Sequence, residues 1–84
     1  MTDDFESAVA AVPLLTKDPG SQVKLALYAL YKQATVGDAS GKRPGFTDLV
    51  GRAKYDAWAA LSGTSTEEAR AGYVAKVAEL QAAE

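Results

Sequence analysis

The chain has 84 residues, of which 48% are hydrophobic and 24% charged, and its formal net charge is −2. A chain of this length forms one domain with a small core, and its stability is marginal. A bound ligand would therefore add noticeably to the stability of the protein. The sequence contains no cysteine and no histidine, which excludes disulfides and thiolate metal sites and removes the commonest general base. The negative charge argues against nucleic acid as a partner.

The start of the chain and its hydropathy favour a cytoplasmic protein. The segment MTDDFESA is acidic and has no long apolar run, so we do not expect a signal peptide. No stretch approaches the ~20 apolar residues of a membrane span, so we expect no stable membrane insertion. The absence of cysteine suits a reducing compartment. We therefore expect a soluble cytoplasmic monomer.

The first predicted helix runs from about Asp4 to Leu15. Asp3 is placed to cap it, with Glu6 three positions further on. Pro13 removes a backbone donor from this segment, so we expect the helix to kink or end near residue 12. The sequence KDPG that follows is typical of a turn. The apolar stripe has helical spacing and consists of Phe5, Val9 and Val12.

The second predicted helix runs from about Ser21 to Val36, with Ser21 as N-cap and Gly37 as C-terminal stop. On a helical wheel its core stripe is Val23, Leu27, Leu30 and Ala34. An adjoining band combines phenols with ammonium groups: Lys24, Tyr28, Tyr31, Lys32 and Thr35, with Leu25 at its edge. Phenol rings can stack on a base, and lysines attract phosphate. The band suits a phosphate-bearing nucleotide, although half-buried tyrosines and solvated lysines would give the same pattern.

The rest of the chain predicts a long loop and two further helices. The loop, GDASGKRPGFTD, has a length that is often functional. The third predicted helix runs from about Asp48 to Leu61, with a packing face of Ala53, Ala57 and Leu61. The fourth opens with a capping box, STEE from Ser65, and carries the apolar stripe Ala69, Tyr73, Val77 and Leu80. Four helices without strand alternation predict an all-α bundle, but periodicity does not give its topology.

Three stretches resemble the acyl-CoA-binding protein family: LYALYKQATVGD from Leu27, RPGFTDLVGRAKYDAW from Arg43 and GTSTEEARAGYVAKV from Gly63. They fall in register with the family pattern without gaps and cover most of the chain. The resemblance implies a single acyl-CoA-binding domain over residues 1–84, folded as an up-down-down-up four-helix bundle. It also implies a non-enzymatic carrier that binds long-chain fatty acyl-CoA esters as its ligand and uses no cofactor.

The resemblance further implies ligand contacts. It assigns Tyr28, Lys32 and Lys54 to the ribose 3′-phosphate, and Tyr31 to stacking on the adenine. Tyr73 is assigned both a ligand contact and a place in the packing of the first helix on the last. The remaining acyl-CoA-binding candidates are Lys24 and Tyr55, which the resemblance places beside the acyl chain, and Leu25 at the edge of the band.

Other family positions are predicted to be structural. Trp58 is expected to fill the core, and Asp56 to fix a local hydrogen bond. The packing set between the first and last helices is predicted to be Phe5, Val9, Val12, Leu15, Tyr73, Val74, Val77 and Leu80.

The chain departs from the family pattern near the ligand's phosphates. Pro13, Leu14 and Val50 stand where members often carry basic or polar residues, so the pyrophosphate is expected to be held less tightly or by other groups. The candidates are Lys17, Lys42, Arg43 and Arg52. Two other functions compete: a helical protein-interaction module that uses the Tyr28 face, and an enzyme. The enzyme is disfavoured because the sequence offers no nucleophile–base pair.

Overall fold

The computed structural model describes residues 3–84, so the first two residues of the predicted domain lie outside the described part. Four α-helices follow one another: α1 (Asp4–Ala11), α2 (Ser21–Thr35), α3 (Leu49–Ala59) and α4 (Thr66–Ala82). A short 3₁₀ turn (Val12–Leu14) follows α1. The described chain contains no strand, as the sequence predicts.

The helix ends follow local chemistry, with one correction. Asp3 caps α1 by accepting a 2.8 Å hydrogen bond from the backbone of Glu6, and α1 ends just before the turn that contains Pro13. The N-cap of α2 is Gly20 rather than Ser21. The carboxylate of Asp18 accepts from the Gly20 N–H at 2.8 Å. Gly20 then takes a φ of +90°, which favours glycine, and turns the chain into α2.

The capping box of α4 forms as the sequence predicts. The backbone N–H of Glu68 donates to the Ser65 hydroxyl at 3.0 Å. The same hydroxyl donates to the Glu68 carboxylate at 3.1 Å, so that the glutamate folds back over the first turn. One of the otherwise unpaired backbone N–H groups at this helix start is thereby satisfied, and the second bond holds the capping side chain in place, which fixes where α4 begins.

The core lies where α1, α2 and α4 meet. Its buried members are Phe5, Ala8, Leu27, Ala34, Ala69, Tyr73 and Val77. The predicted stripes of α2 and α4 are thus confirmed. The predicted packing of α1 on α4 is confirmed except at Leu15, which is half-buried and outside this cluster. Leu15 follows the 3₁₀ turn in extended backbone, and so it leaves the helical face that carries the stripe.

Helix α3 packs differently from the predicted face. Ala53 is exposed, Leu61 lies beyond the end of the helix, and the buried residue of α3 is Trp58. The indole N–H of Trp58 donates to the carbonyl oxygen of Gly37 at 2.7 Å, which ties α3 to the end of α2. Two alanines and a leucine beyond the helix end make a weak stripe, and the largest ring on the helix, that of Trp58, decides its orientation instead.

Contacts between helices give the topology. Tyr28 and Lys32 of α2 face Lys54 and Trp58 of α3 in that order, so these two helices run in the same direction. Residues from the start of α1 meet residues 70–74 of α4, and later ones meet residues 77–81, so this pair also runs in one direction. Helix α2 opposes α4, because Gln33 reaches the residue before Ser65 whereas Leu30 lies beside position 72. The bundle is therefore up-down-down-up.

Candidate functional site

Two lysines meet aromatic rings between α2 and α3. The Nζ atom of Lys54 lies 5.4 Å from the centre of the Tyr28 ring. The Nζ atom of Lys32 lies 4.8 Å from the centre of the Trp58 ring. Because residues four apart share a helix face, one i, i+4 pair on α2 meets a matching pair on α3. The structure thus brings together Tyr28, Lys32 and Lys54, the three residues that were predicted to bind the 3′-phosphate.

Both ammonium groups are available to an anion. Within residues 3–84, neither Lys32 nor Lys54 forms an ion pair with a carboxylate. An ammonium over an aromatic ring gains about 0.5–1 kcal/mol at an exposed site and about 2 kcal/mol where it is desolvated, whereas a charge-assisted hydrogen bond gains about 1.5–3 kcal/mol. A phosphate oxygen would therefore compete with the ring for each lysine.

A second aromatic group, around Tyr31 of α2, lies against α1 and α4. The ring of Tyr31 stacks on Phe5 with 6.1 Å between the centres, and Tyr73 meets the edge of Phe5 at 5.3 Å. Tyr31 keeps 41% of its surface exposed, so an adenine could cover it, whereas Tyr73 keeps only 5%. Burial, with a smaller effect from Tyr31, raises the pKa of Tyr73. Tyr73 packs as predicted, and its ligand contact stays a prediction.

The remaining predicted contacts are spread over the surface. Lys24 forms a 3.2 Å ion pair with Asp18 in the connection between α1 and α2. The backbone N–H of Gly20 and then Lys24 lower the pKa of Asp18. Leu25 is half-buried. The Tyr55 hydroxyl donates to the carbonyl oxygen of Gly41 at 3.2 Å, so this ring holds the loop before α3 and its acyl contact stays a prediction.

The long loop is fastened to α3 by an ion pair. The guanidinium of Arg43 donates to both carboxylate oxygens of Asp56, at 2.8 and 2.6 Å. This bond holds the pKa of Asp56 below its usual value. The hydrogen bond predicted for Asp56 is confirmed, and Arg43 is already engaged by it. Arg43 is therefore a weaker candidate for the pyrophosphate than the sequence suggested.

Sequence reasoning missed a buried amide. Gln33 is fully buried, and its side-chain nitrogen donates to Asp38 at 2.8 Å and to the carbonyl of Thr64 at 2.7 Å. Asp38 also accepts from the Gly63 N–H at 2.9 Å, and this bond, followed by that from Gln33, lowers the pKa of Asp38. We call Gln33, Asp38, Gly63 and Thr64 the amide clasp. It fixes the end of α2 against the start of α4.

A separate cleft adjoins the core. A cleft of about 420 Å³ opens between α1 and α4, lined by Asp3, Asp4, Phe5, Arg70, Ala71 and Val74. None of the predicted ligand residues lines it. The lysines lie on open surface between α2 and α3, which exposes charge rather than enclosing a cavity. The charged groups of the cleft are two carboxylates and one guanidinium, and Arg70 is already paired with Asp3 at 3.6 Å, so the described residues of the cleft offer no free cation for a phosphate.

Within residues 3–84, no helix combines the length and apolar character needed to cross a membrane. The same part of the chain has no cluster of three or more acidic, histidine or cysteine side chains placed to hold a metal ion.

Residues 2–77 match the family model described as Acyl CoA binding protein. The chain is 46% identical to an acyl-CoA-binding protein of Brassica napus over 84 residues, covering all of this chain and 91% of that protein. It is 54% identical to enoyl-CoA delta isomerase 2 of Rattus norvegicus over 77 residues. That match covers 92% of this chain but only 20% of the isomerase, so the chain spans about a fifth of that relative.

Solved structures agree with the fold. The crystal structure of acyl-CoA-binding protein 2 of Oryza sativa matches with a TM-score of 0.91 and 44% identity, over 95% of this chain and 89% of that one. The crystal structure of a homologue from Moniliophthora perniciosa matches with a TM-score of 0.89 and 43% identity, over 95% and 79% of the two chains. The predicted four-helix fold is confirmed.

Proposed function

Because the chain belongs to the acyl-CoA-binding protein family, we propose that it is a single domain that binds long-chain acyl-CoA esters non-covalently and carries them in the cytoplasm. The observation that supports this most directly is the pair of lysines between α2 and α3, each held over an aromatic ring and free of carboxylate partners in the described chain.

The chemistry of this pair suits the ribose 3′-phosphate. That group is a compact dianion, and two ammonium groups from separate helices can approach it from two sides. Lys32 and Lys54 offer three donors each, and the Tyr28 hydroxyl adds a neutral one. Tyr31 supplies a partly exposed ring for the adenine. We propose this division of the nucleotide between the two aromatic groups of α2.

The acyl chain supplies the larger part of the affinity. Each buried methylene adds roughly 0.8 kcal/mol, so about a dozen account for most of a nanomolar binding energy after ordering costs. Affinity is therefore expected to rise with chain length, and free CoA is expected to bind weakly. Leu25, Tyr55 and the methylenes of Lys24 are the proposed contacts of this chain.

The pyrophosphate is held less tightly in this proposal. Arg43 is bound to Asp56, and the Lys17 ammonium donates to the carbonyl of Ala83 at 3.2 Å. Arg52 stands four residues from both Asp48 and Asp56, on that face of α3 rather than the face of Lys54. Of the sequence candidates, Lys42 is the one that these contacts leave.

The proposal is a binding function rather than an enzymatic one. The family is described by binding, and the chain has neither the cysteine nor the histidine of the usual nucleophile–base pairs. The isomerase relatives carry most of their length outside the matched segment. The alternative, a protein-interaction module that keeps the fold without tight acyl-CoA binding, has no observation in its favour.

Titration calorimetry tests the proposal with palmitoyl-CoA, free CoA and palmitate in parallel. We expect tight binding of the ester and weak binding of either half. Lys32→Ala should weaken ester binding by about 1–3 kcal/mol, because a charge-assisted contact is lost. Lys76→Ala, on α4 away from the site, is the matched control and should change nothing. No binding of the ester would overturn the function, and unchanged affinity in Lys32→Ala would overturn the role of that lysine.

A further inference from the structure

Two hollows follow one another along the line where α1 meets α4. The cleft of about 420 Å³ lies at the start of α1, and a second hollow of about 190 Å³ lies further along that helix. Asp4 and Val74 line both hollows, so the two form one continuous channel from Asp3 to Ala11 and Gln81, which we call the α1–α4 groove. Its length is that of α1, whose eight residues span about 12 Å at about 1.5 Å each.

The bottom of the groove is apolar. Val74 is half-buried and runs through both hollows, and the largely buried side chains of Phe5 and Val77 lie on either side of it. Ala71 and Ala78 stand on the α4 wall and are exposed. Because an alanine side chain ends at Cβ, this wall does not close over the line of contact. The apolar bottom therefore stays open to solvent.

The surroundings of the groove are acidic. Helices α1 and α4 contain five acidic residues and two basic ones. Both basic residues are already paired: Arg70 lies 3.6 Å from Asp3, and Lys76 lies 3.8 Å from Glu79. The carboxylate of Asp4, which lines both hollows, has no ion-pair partner among residues 3–84. This face therefore carries negative charge that the protein does not neutralise.

That charge decides between possible occupants. A second copy of the chain would bring the same acidic face to a symmetric contact, and like charges set against one another cost binding energy. An anionic lipid surface attracts basic segments and would repel this face. A partner segment that combines apolar side chains with lysines or arginines matches both the bottom of the groove and its rim.

The shape of the groove favours a helix as that segment. An added strand needs a sheet edge, and the described chain has no strand. Proline-rich segments bind grooves lined with aromatic rings, whereas Phe5 is the one aromatic residue among those that line this groove. Two helices that run side by side leave a furrow for the side-chain ridge of a third. Helical anchors at i, i+3 or i+4, and i+7 span about 10 Å, which fits the length of the groove.

We propose that the α1–α4 groove binds a basic amphipathic helix of a partner protein, with the apolar side of that helix against Val74 and its cations beside Asp4. Two helical turns offer far fewer contacts than the 20–30 residues a side that a stable interface takes, roughly. The interaction is therefore weak and reversible. None of the predicted ligand residues lines the groove, so the partner can bind the chain whether or not the α2–α3 site is filled.

The test uses fluorescently labelled synthetic peptides of about 15 residues, long enough to form a helix, and measures their anisotropy against the full chain. The first peptide places leucines on one helical face and lysines on the other, and we expect it to bind with micromolar affinity. A second peptide has the same composition in an order without an apolar face, and it should bind about tenfold more weakly. A third has glutamate for every lysine and should not bind. Equal binding of the first two would overturn the proposal, because charge alone would then explain it.

Paired variants of the chain place the contact in the groove. Ala78→Lys should weaken binding of the first peptide by about tenfold, because the new side chain fills the groove and repels the cations of the peptide. Ala75→Lys is the matched control, since Ala75 is also exposed on α4 but lies outside both hollows. Asp4→Asn should weaken binding by about two- to threefold, whereas Glu6→Gln, which also removes a carboxylate from the first turn of α1, should not. Equal effects within each pair would overturn the proposal.

Two further measurements separate this groove from other uses of the same surface. Ala78→Lys should keep the palmitoyl-CoA affinity of the parent chain, and a loss would overturn the proposal by making the groove part of the ligand site. Sedimentation velocity should show a monomer, and a dimer that Ala78→Lys dissociates would assign the groove to a second copy instead. A chain that binds the basic peptide in the groove but no palmitoyl-CoA would remove the proposed function and leave this interaction intact.

Discussion

The α1–α4 side and the α2–α3 side of the bundle are held together by different kinds of interaction. Where α1 meets α4, apolar and aromatic side chains are buried, as in the contact of Phe5 with Tyr73. Where α2 meets α3, the contacts include two cations on rings and one indole hydrogen bond. Trp58 is buried there, but α3 supplies no member of the core cluster. One side provides stability, and the other keeps groups that a ligand can use.

This difference follows from the cost of exposing each kind of contact. A buried aromatic side chain loses its burial energy whenever its partner moves away. An ammonium over an aromatic ring loses less, because water or phosphate can replace the ring as its partner. The α2–α3 side can thus adjust to a ligand while the α1–α4 side stays closed. The amide clasp joins the two, since Gln33 lies on α2 and reaches the start of α4.

The largest expected effect comes from breaking the buried side. Tyr73→Ala removes a ring that is only 5% exposed and should lower the free energy of unfolding by about 3–5 kcal/mol. Urea unfolding followed by far-UV circular dichroism measures it. Tyr73→Phe, which keeps the ring, is the matched control and should cost far less. A loss below about 1 kcal/mol in the alanine variant would show that the core is not where the stability lies.

A smaller effect is expected at the clasp. Gln33→Ala removes two donors from a fully buried position and should cost about 1–3 kcal/mol. The sole tryptophan is on α3, so its fluorescence follows the α2–α3 side while circular dichroism follows all four helices. We expect the fluorescence transition of this variant to shift to lower urea than the dichroism transition.

The control for the clasp is an exposed glutamine on the same helix. Gln22→Ala should leave both transitions where they are in the parent, because Gln22 is exposed in the first turn of α2. If the fluorescence and dichroism transitions of Gln33→Ala coincide and shift by the same amount, the α1–α4 side and the α2–α3 side unfold as one unit. The two sides would then not differ in stability.

The smallest expected effect is a dependence on pH. Hydrogen bonds from Gly63 and then from Gln33 hold the pKa of Asp38 below its usual value. The unfolded chain therefore binds a proton at higher pH than the folded one. The stability contributed by Asp38 is fully present above about pH 4 and is lost as the pH falls through its lower folded pKa.

Thermal unfolding across that range measures the slope of stability against pH. Asp38→Asn removes the titrating group while keeping an acceptor for Gly63, and it should flatten the fall in the melting temperature on the acid side. An unchanged slope in this variant would assign the acid sensitivity to other carboxylates, such as Asp56, whose pKa Arg43 lowers.

Long, strongly patterned segments were predictable from the sequence. The stripes of α2 and α4 were found because large apolar residues recur there at helical spacing, and the caps at Asp3 and Ser65 because their partners stand three positions on. The family resemblance then supplied the topology. The face of α3 was wrong because alanines give little contrast between one face and another, so that Trp58 alone decides.

Contacts between residues far apart in the sequence could not be predicted from the pattern of residues alone. Gln33 is polar, and its hydropathy gives no sign that the folded chain buries it completely. The pairing of Lys24 with Asp18 depends on the turn at Gly20. The sequence predicted the N-cap of α2 one residue later, at Ser21, and therefore did not indicate this turn. The resemblance grouped Lys32 with Lys54, but only the structure shows that each ammonium rests on a ring of the other helix.

The partnership of α1 with α4 also has a consequence for how the chain folds. Helix α1 ends at Ala11 and α4 begins at Thr66, so the partner of the first helix is made last. As the protein leaves the ribosome, α2 and α3 can associate early, whereas the apolar stripe of α1 stays exposed until α4 has been synthesised. An eight-residue helix is marginal in water alone, and contacts between distant parts of a chain form slowly. Closure of α1 onto α4 is thus expected to be the late, rate-limiting event of folding.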